Sequence, residues 1–351
     1  MKLKINKKWI AFLLTASLAC TTFGCGSSSG KEVTSSGSAD ITSSDYAVKV
    51  AIVPGGLCHA PLHAAIENGY FEEEGLKYEK VEVNGAVIQE AVGAGQVDAG
   101  FGLIAKFIQP LENGLPLKVT SGMHTGCTKL LVKKDSGIES VSDLKGKKIG
   151  VPGLADSATV TTKRALAKAG IGVSDANLEV DFLAYSSADL PAALENGAID
   201  AFAVADPIAT TAEKEYDLKV IIDTTTDEAF KDEYCCISFV STELAEKNPE
   251  LAAKFTRAVQ KGSAWVEKHP QEAAQMQIDK QYVSGDATLN GEILESYYFN
   301  PSVEGGYQAL DKTSRELQEI GILKAETDIE AFIQNSFIKL DGVPDTYSGD
   351  L

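Results

Sequence analysis

One sequence pattern occurs twice in the chain: Ala91-Val-Gly-Ala-Gly-Gln-Val-Asp98-Ala-Gly is repeated, with substitutions, as Ala193-Leu-Glu-Asn-Gly-Ala-Ile-Asp200-Ala-Phe. In each copy a helical stretch ends at a glycine, Gly95 or Gly197, which can adopt the left-handed conformation that closes a helix. An apolar residue, an aspartate and an alanine then open a buried strand. Because aspartate commonly forms hydrogen bonds within turns, we interpret Asp98 and Asp200 as turn residues rather than catalytic carboxylates. The repeat predicts two halves of similar fold.

Short apolar strands and helical stretches alternate on both sides of this repeat. The first half has predicted strands at residues 48–53, 78–83, 99–103 and 117–123, and the second has them at 148–151, 178–183, 201–205 and 218–222. Such alternation is typical of α/β proteins with mostly parallel sheets flanked by helices. A strand at 234–241 and a long amphipathic helix at 249–269 follow. We predict two lobes joined by crossovers near 128–133 and 234–240, with 46–130 and 235–351 in lobe one and 131–234 in lobe two.

The first residues have the features of a secretion signal. Four lysines precede an apolar run at 9–19, which is too short for a stable transmembrane helix. Small residues then lead to Cys25 and to a Ser/Gly/Thr-rich stretch, as in a bacterial lipoprotein signal, which this segment resembles. We predict a signal peptide at 1–24, a lipid on Cys25 (with Cys20 as the weaker candidate) and a flexible linker at 25–45. The protein would then work outside the cytoplasm, anchored to the cell membrane by its lipid.

The composition excludes some classes of partner. The formal net charge of the 351-residue chain is −18, and it becomes −22 without residues 1–24, which hold four lysines and no acidic residue. Nucleic acids and anionic lipid headgroups repel a chain of this charge. The length after the linker favours two domains. We predict a monomer that binds no nucleic acid.

Candidate ligand-binding residues follow the predicted strands, because doubly wound sheets bind ligands beyond the carboxyl ends of their strands. The two adjacent glycines Gly55 and Gly56 allow a close approach of the backbone, and Ser157 and Thr159 lie where a helix begins, which favours an anion or an acceptor-rich group. None of the three arginines follows a predicted strand, whereas Asp206 favours a ligand with donors. A sulfonate and a neutral or amine-bearing heterocycle are therefore both compatible with the sequence. The predicted set is Gly56, Leu57, Cys58, His59, Leu103, His124, Cys127, Ser157, Ala158, Thr159, Tyr185, Asp206 and Tyr234.

Cysteine and histidine are concentrated near the same strand ends. Three interpretations stay open: buried thiols that act as small apolar residues, a disulfide such as Cys58–Cys127 or a vicinal Cys235–Cys236 pair, and a soft-metal or metal-chelate site. The last would use Cys58, His59, His124 and Cys127. Since no CxxC or HExxH spacing is present, the sequence predicts no metal and no cofactor.

Three motifs resemble those of one family. They are Gly69-Tyr-Phe-Glu-Glu-Glu-Gly75-Leu, the segment from Asp135-Ser-Gly-Ile to Asp143-Leu-Lys-Gly-Lys-Lys-Ile-Gly150, and the helix pair around Pro249-Glu-Leu, Ala264-Trp265 and His269-Pro270. They are similar to those of solute-binding proteins of nitrate, sulfonate, taurine and thiamine-precursor importers. The resemblance implies a two-lobed periplasmic-binding-protein fold of type II. It also implies a small organic solute held between the lobes and delivered to the permease and ATPase subunits of an ABC transporter, without catalysis.

Three other functions stay open beside this one, and one of them is the binding of a metal or metal chelate. Thiamine-pyrimidine synthases resemble the same fold, so an enzyme of that kind is the main alternative. A sensor subunit that signals to a membrane receptor is another. No Ser/His/Asp elbow, phosphate-binding loop or paired-carboxylate motif appears in the sequence.

Overall fold

The computed structural model describes residues 40–43, 45–349 and 351. The predicted signal peptide, Cys20, Cys25 and most of the predicted linker lie outside the described residues. Ile41 is buried although it falls within that linker, and its carbonyl accepts a hydrogen bond from Asn248 Nδ2 at 3.1 Å. Of the helices in this part of the chain, none combines the length and apolar character that a membrane span requires.

Strands and helices alternate in the first two thirds of the described chain, and helices dominate the rest. The strands are β1 Val48–Ile52, β2 Tyr78–Glu82, β3 Ala99–Leu103, β4 Leu117–Thr125, β5 Thr128–Lys133, β6 Lys148–Val151, β7 Val173–Ser174, β8 Asn177–Leu178, β9 Asp181–Ala184, β10 Ala201–Ala205, β11 Leu218–Asp223 and β12 Tyr234–Ser241. The helices are α1 Ala60–Glu67, α2 Tyr70–Glu73, α3 Ile88–Gly93, α4 Ala105–Glu112, α5 Ser157–Lys168, α6 Leu190–Glu195, α7 Ile208–Glu215, α8 Thr242–Lys247, α9 Pro249–Lys268, α10 Pro270–Asp279, α11 Ala287–Glu295, α12 Val303–Glu319 and α13 Ile329–Ser336.

Two five-stranded sheets have the same plan. The first has the order β2-β1-β3-β12-β4 and the second, read from its other edge, β9-β6-β10-β5-β11. In the first sheet β12 runs antiparallel to β3 and β4, and in the second β5 runs antiparallel to β10 and β11. Each antiparallel strand is therefore the one by which the chain enters from the other sheet. The fold is the predicted two-lobed α/β architecture.

Each crossover lies immediately before the region that the sequence predicts for it. Residues 128–133 and 234–240, predicted as crossover regions, belong to regular strands, one in each sheet. The connections are residues 126–127 and 224–233. The predicted strand at 178–183 is also wrong as a single element, because β8 pairs with β7 in a small hairpin while β9 pairs with β6.

The repeated aspartates close equivalent turns. Asp98 N donates to Lys49 O at 2.7 Å, and Lys49 N donates to Asp98 Oδ2 at 2.8 Å. Asp200 makes the same pair of bonds with Lys148, both at 2.8 Å. Each aspartate thus ties the start of one strand to its parallel neighbour, which agrees with the turn interpretation.

Each sheet buries an apolar layer on both faces. Helices α8–α13 add a further layer to the first sheet, where α9 crosses α1 closely at Gly262. A β-carbon at Gly262 would lie 2.1 Å from Pro61 O, so a glycine is required at this crossing. The extra helices make lobe one the larger body and leave the strand ends of both sheets facing each other.

Candidate functional site

A cavity of about 710 Å³ lies between the carboxyl ends of the two sheets. Its lobe-one side comes from the segments after β1, β2 and β3, and its lobe-two side from the segments after β6, β9 and β10. This is where α/β sheets place ligands. Five of the predicted residues line it: Gly56, Cys58, His59, Leu103 and Asp206.

Lys106 is the charged donor among the cavity residues that were not predicted from the sequence. It lies in the first turn of α4, directly after β3, and its Nζ donates to Gly85 O at 2.7 Å. The residue is only 9% exposed although it lines the cavity. An ammonium has three donors, so two of those on Nζ stay available to a ligand. The position of Lys106 directly after a predicted strand could have identified it as a candidate binding residue. Helix α4, which carries it, was not predicted from the sequence.

Gln89 and Leu154 complete the surroundings of Lys106. Gln89 Nε2 donates to Lys106 O at 3.3 Å, and its buried Oε1 has no hydrogen-bond partner among the described residues. On the lobe-two side Leu154 is 62% exposed. A second cavity of about 450 Å³ shares Lys106, Leu154 and Ala155 with the first. The cleft thus joins polar groups on one side to an apolar side chain on the other.

Asp206 is a buried acid at the lobe-two edge. Its Oδ2 accepts from Tyr297 OH at 2.9 Å and its Oδ1 from Thr210 N at 2.9 Å. Burial raises the pKa of Asp206, and burial together with this carboxyl raises the pKa of Tyr297. Both carboxyl oxygens of Asp206 already accept hydrogen bonds within the protein. Asp206 therefore makes the cavity wall polar but does not offer a free acceptor oxygen.

Side chains at the amino terminus of α5 form hydrogen bonds with the backbone of the same segment and cap the helix. Asp156 Oδ1 accepts from Ala158 N at 3.0 Å, and Thr159 Oγ1 donates to Gly153 O at 2.6 Å. Ser157 lines a separate small cavity, Thr159 lines the 450 Å³ cavity, and Ala158 is in the core. These three predicted residues are not brought to the 710 Å³ cavity, because ordinary capping turns them into the helix.

Five more predicted residues lie away from that cavity. Leu57, His124 and Cys127 are fully buried in lobe one. Tyr185 packs against the core of lobe two, and the Tyr234 hydroxyl donates to Asn300 O. A strand end identified from sequence does not tell which of its residues turn toward the core.

His59 and His63 are buried beside the cavity. Burial lowers the pKa of both, so each ring is neutral near pH 7. His63 Nδ1 is 2.9 Å from Gln277 Nε2, and its ring stacks on Tyr282 with centroids 3.9 Å apart. His59 lines the cavity, and its Nδ1 has no partner among the described residues.

All four described cysteines meet behind the cavity. We call Cys58, Cys127, Cys235 and Cys236 the thiol cluster. The Sγ atoms of Cys127 and Cys235 are 3.3 Å apart, and those of Cys235 and Cys236 are 3.7 Å apart. All four thiols are free, so neither a Cys58–Cys127 nor a vicinal disulfide is formed. His124 Nδ1 lies 3.7 Å from Cys235 Sγ, whereas His59 is not part of this group.

The thiols differ in their electrostatic surroundings. The hydrogen bond with Cys235 raises the pKa of Cys127 to about 11. Burial acts to raise the pKa of Cys235, but hydrogen bonds from Cys127 and Cys236 outweigh it and lower the value to about 7. Burial and the neighbouring thiols raise the pKa of Cys236. Of these three thiols, Cys235 therefore has the lowest pKa.

Known proteins resemble this chain over most of its length. The profile of the family described as NMT1/THI5 like matches residues 57–273. A 4-amino-5-hydroxymethyl-2-methylpyrimidine phosphate synthase of Aspergillus parasiticus is 28% identical over 290 residues, covering 76% of this chain and 80% of the relative. A Bacillus subtilis (strain 168) protein named for binding aliphatic sulfonates is 25% identical over 292 residues, covering 80% of this chain and 84% of the relative.

A solved structure resembles the fold. The periplasmic aliphatic sulphonate binding protein of Escherichia coli superposes with a TM-score of 0.66 at 18% identity, covering 87% of this chain and 95% of that one. Its likeness supports the architecture of two sheets around a cleft. The chain belongs to the NMT1/THI5 like family and has the periplasmic-binding-protein fold.

Proposed function

We propose that this protein is the extracytoplasmic solute-binding lipoprotein of an ABC importer. It captures a small organic solute in the 710 Å³ cavity and presents it to the permease and ATPase subunits. The observation that carries the proposal is the lining of one cavity by strand ends from two sheets. Two connections, residues 126–127 and 224–233, join those sheets, and hinge closure around a ligand needs such a pair of lobes.

The charges around the cavity favour an acceptor-rich solute with an apolar part. Lys106 offers ammonium donors from lobe one, His59 adds a neutral imidazole, and Leu154 offers an apolar surface from lobe two. None of the three arginines, all of them in the described part of the chain, lines this cavity. A sulfonate-like or heterocyclic solute is therefore held by one cation and by backbone groups rather than by a bidentate guanidinium.

A thermal-shift screen tests the solute-binding role. The probes are taurine, methanesulfonate, an aminopyrimidine and riboflavin, each added to the purified protein. A solute at 100 times its Kd stabilises the folded state by about 2.7 kcal/mol, which raises the melting temperature by several degrees. A panel of this breadth that leaves the melting temperature unchanged contradicts the proposal.

A substitution at Lys106 tests the proposed role of this side chain in binding the solute. Lys106→Met keeps the length of the side chain and removes the charged donor, so affinity for a responding probe falls by roughly 10- to 100-fold. Lys254→Met removes a lysine that pairs with Glu250 on α9 and does not line the cavity, and it leaves affinity unchanged. Equal affinities in both variants contradict the assigned role of Lys106.

The membrane anchor has a separate test. Cys25→Ala removes the proposed lipid attachment, so the protein moves from the membrane fraction to the soluble extracytoplasmic fraction. Cys20→Ala leaves it at the membrane. The opposite result assigns the lipid to Cys20.

An enzyme related to the pyrimidine synthases is the second candidate. The relative from Aspergillus parasiticus, at 28% identity, favours it. The proposal of binding without catalysis predicts that a bound pyrimidine is recovered unchanged from the purified protein. Release of a modified product in more than one equivalent per chain supports the enzyme instead.

A further inference from the structure

The thiol cluster gathers cysteines from three distant parts of the chain. Cys58 lies in the turn after β1, Cys127 in the first connection between the sheets, and Cys235 and Cys236 at the start of β12. Every cysteine in the described residues belongs to it. Because β12 lies between β3 and β4, the fold brings the end of the second connection against the first.

Two local irregularities direct the thiols to one point. Consecutive residues of a regular strand point to opposite faces of the sheet. The pairing of β12 with β4 shifts register on both sides of Cys236, and the Sγ atoms of Cys235 and Cys236 lie 3.7 Å apart. Cys127 has a φ of 96°, a conformation that non-glycine residues rarely adopt. Both features place sulfur atoms where regular backbone would separate them.

The sulfur positions match the dimensions of a tetrahedral metal site. Four sulfurs bound at about 2.3 Å to a tetrahedral ion lie about 3.8 Å from one another. The Sγ atoms of Cys58, Cys127 and Cys236 all lie within 4.8 Å of one another. The Sγ atom of Cys235 is 3.3 Å from that of Cys127 and 3.7 Å from that of Cys236. These separations are close to the spacing that four thiolates around one ion require.

We propose that Cys58, Cys127, Cys235 and Cys236 bind one thiophilic divalent cation of the Zn²⁺ class with four thiolates. Soft thiolate ligands in tetrahedral geometry select such ions. Binding releases the thiol protons to solvent. The ion would enter from the cleft, which Cys58 lines, or from the small cavity that Cys235 lines. The site lies at the wall of the solute cavity, which Cys58 lines, and the proposal does not depend on which solute binds there.

Cobalt is the probe, because its absorption spectrum reports both tetrahedral geometry and the number of thiolate ligands. Co²⁺ is titrated into the reduced full-length protein without oxygen, and Zn²⁺ is then added as competitor. We expect one equivalent of Co²⁺ per chain, the intense visible bands of a tetrahedral ion and a sulfur-to-cobalt charge-transfer band of four-thiolate intensity. Zn²⁺ abolishes these bands.

Four single variants test the ligand set: Cys58→Ser, Cys127→Ser, Cys235→Ser and Cys236→Ser. Each weakens Co²⁺ binding by at least about tenfold, since even residues that only orient metal ligands contribute 10- to 100-fold. Circular dichroism without metal shows whether each variant is folded. Cys235 is only partly buried, so Cys235→Ser keeps the test valid if a variant at a buried cysteine does not fold. Cys25→Ser is the matched control and retains full binding.

Three outcomes overturn the proposal. The first is the absence of a charge-transfer band at one equivalent. The second is a three-thiolate band that disappears in His124→Asn, which would assign the fourth position to His124. The third is a Cys127–Cys235 disulfide, identified by mass spectrometry, that forms in air even when Zn²⁺ is present.

Discussion

The two lobes have one sheet plan but different chemistry at their strand ends. The order β2-β1-β3-β12-β4 corresponds strand for strand to β9-β6-β10-β5-β11. At the cleft, lobe one presents Cys58, His59 and Lys106, whereas lobe two presents Leu154 and the engaged carboxyl of Asp206. The scaffold is thus duplicated while the groups that meet a ligand are not. In the proposed function, lobe one therefore supplies the cation that meets the solute, and lobe two supplies the apolar side chain of Leu154.

A buried arginine forms one of the links between the lobes, beside the hydrogen bond from Tyr297 to Asp206. Arg164 on α5 bonds Glu233 through both terminal nitrogens at 2.7 and 2.8 Å, and Glu316 on α12 through Nε at 2.6 Å. The Arg164 side chain is 3% exposed and that of Glu233 is 8% exposed. Lobe two is therefore held to the helical layer of lobe one by a desolvated ionic network.

Arg164→Leu should have the largest effect on stability. Removing one partner of a buried ion pair leaves the other charges uncompensated, so the free energy of unfolding falls by about 3–5 kcal/mol. Urea unfolding measures it. Arg315→Ala, which breaks the exposed pairs with Asp311 and Glu330, is the control and changes the midpoint little. Similar midpoints for the two variants would mean that the lobes are not coupled through Arg164.

Gly262→Ala tests the helical layer that lobe two lacks. The new β-carbon meets Pro61 O at 2.1 Å and Ala65 N at 3.0 Å, so α9 must move away from α1. We expect a loss near the upper end of about 1–3 kcal/mol, the range for overpacked cores. Gly93→Ala on α3 is the control, because a β-carbon there would lie 3.8 Å from Leu115 Cδ1, which is an ordinary contact distance. An unchanged free energy of unfolding in Gly262→Ala would show that α9 moves away from α1 without cost.

Strand positions were the part of the fold that the sequence predicted best. The predicted strands at 99–103, 148–151, 201–205 and 234–241 have the bounds of β3, β6, β10 and β12. Each of these strands follows directly after a charged residue, which marks its start locally: Asp98, Lys147, Asp200 or Glu233. Helices α4 and α7 were missed, because Pro110 interrupts the first and threonines weaken the helical pattern of the second.

The site was predictable only as a set of strand ends. That rule found Cys58, His59 and Asp206, but it could not tell that Leu57 turns into the core while its neighbour lines the cavity. Lys106 was not predicted as a site residue because helix α4, which carries it, was not predicted. The thiol cluster needed the position of β12 between β3 and β4, which depends on long-range pairing and not on local pattern.

The two repeated aspartates give a direct comparison of the lobes. Asp98 is buried and also accepts from Tyr46 OH at 2.8 Å, whereas Asp200 is exposed. Asp98→Ala should lower the free energy of unfolding by about 1–2 kcal/mol because it leaves buried donors unpaired, and Asp200→Ala by about 0.5–1 kcal/mol because water replaces the lost acceptor. Paired urea titrations measure both. Equal losses would show that burial does not distinguish these two turns.

Glu316 should give the smallest effect, visible as a dependence on pH. Burial acts to raise its pKa, but Arg164 and Lys168 outweigh burial and lower it. A lowered folded-state pKa contributes stability above the unfolded value of about 4.3, and this contribution is lost as pH falls through the folded pKa. The difference in unfolding free energy between the wild-type protein and Glu316→Gln should therefore be constant near neutrality and shrink below about pH 4.3. A Glu316→Gln difference that persists undiminished into acid would contradict this contribution of Glu316 to the lobe link.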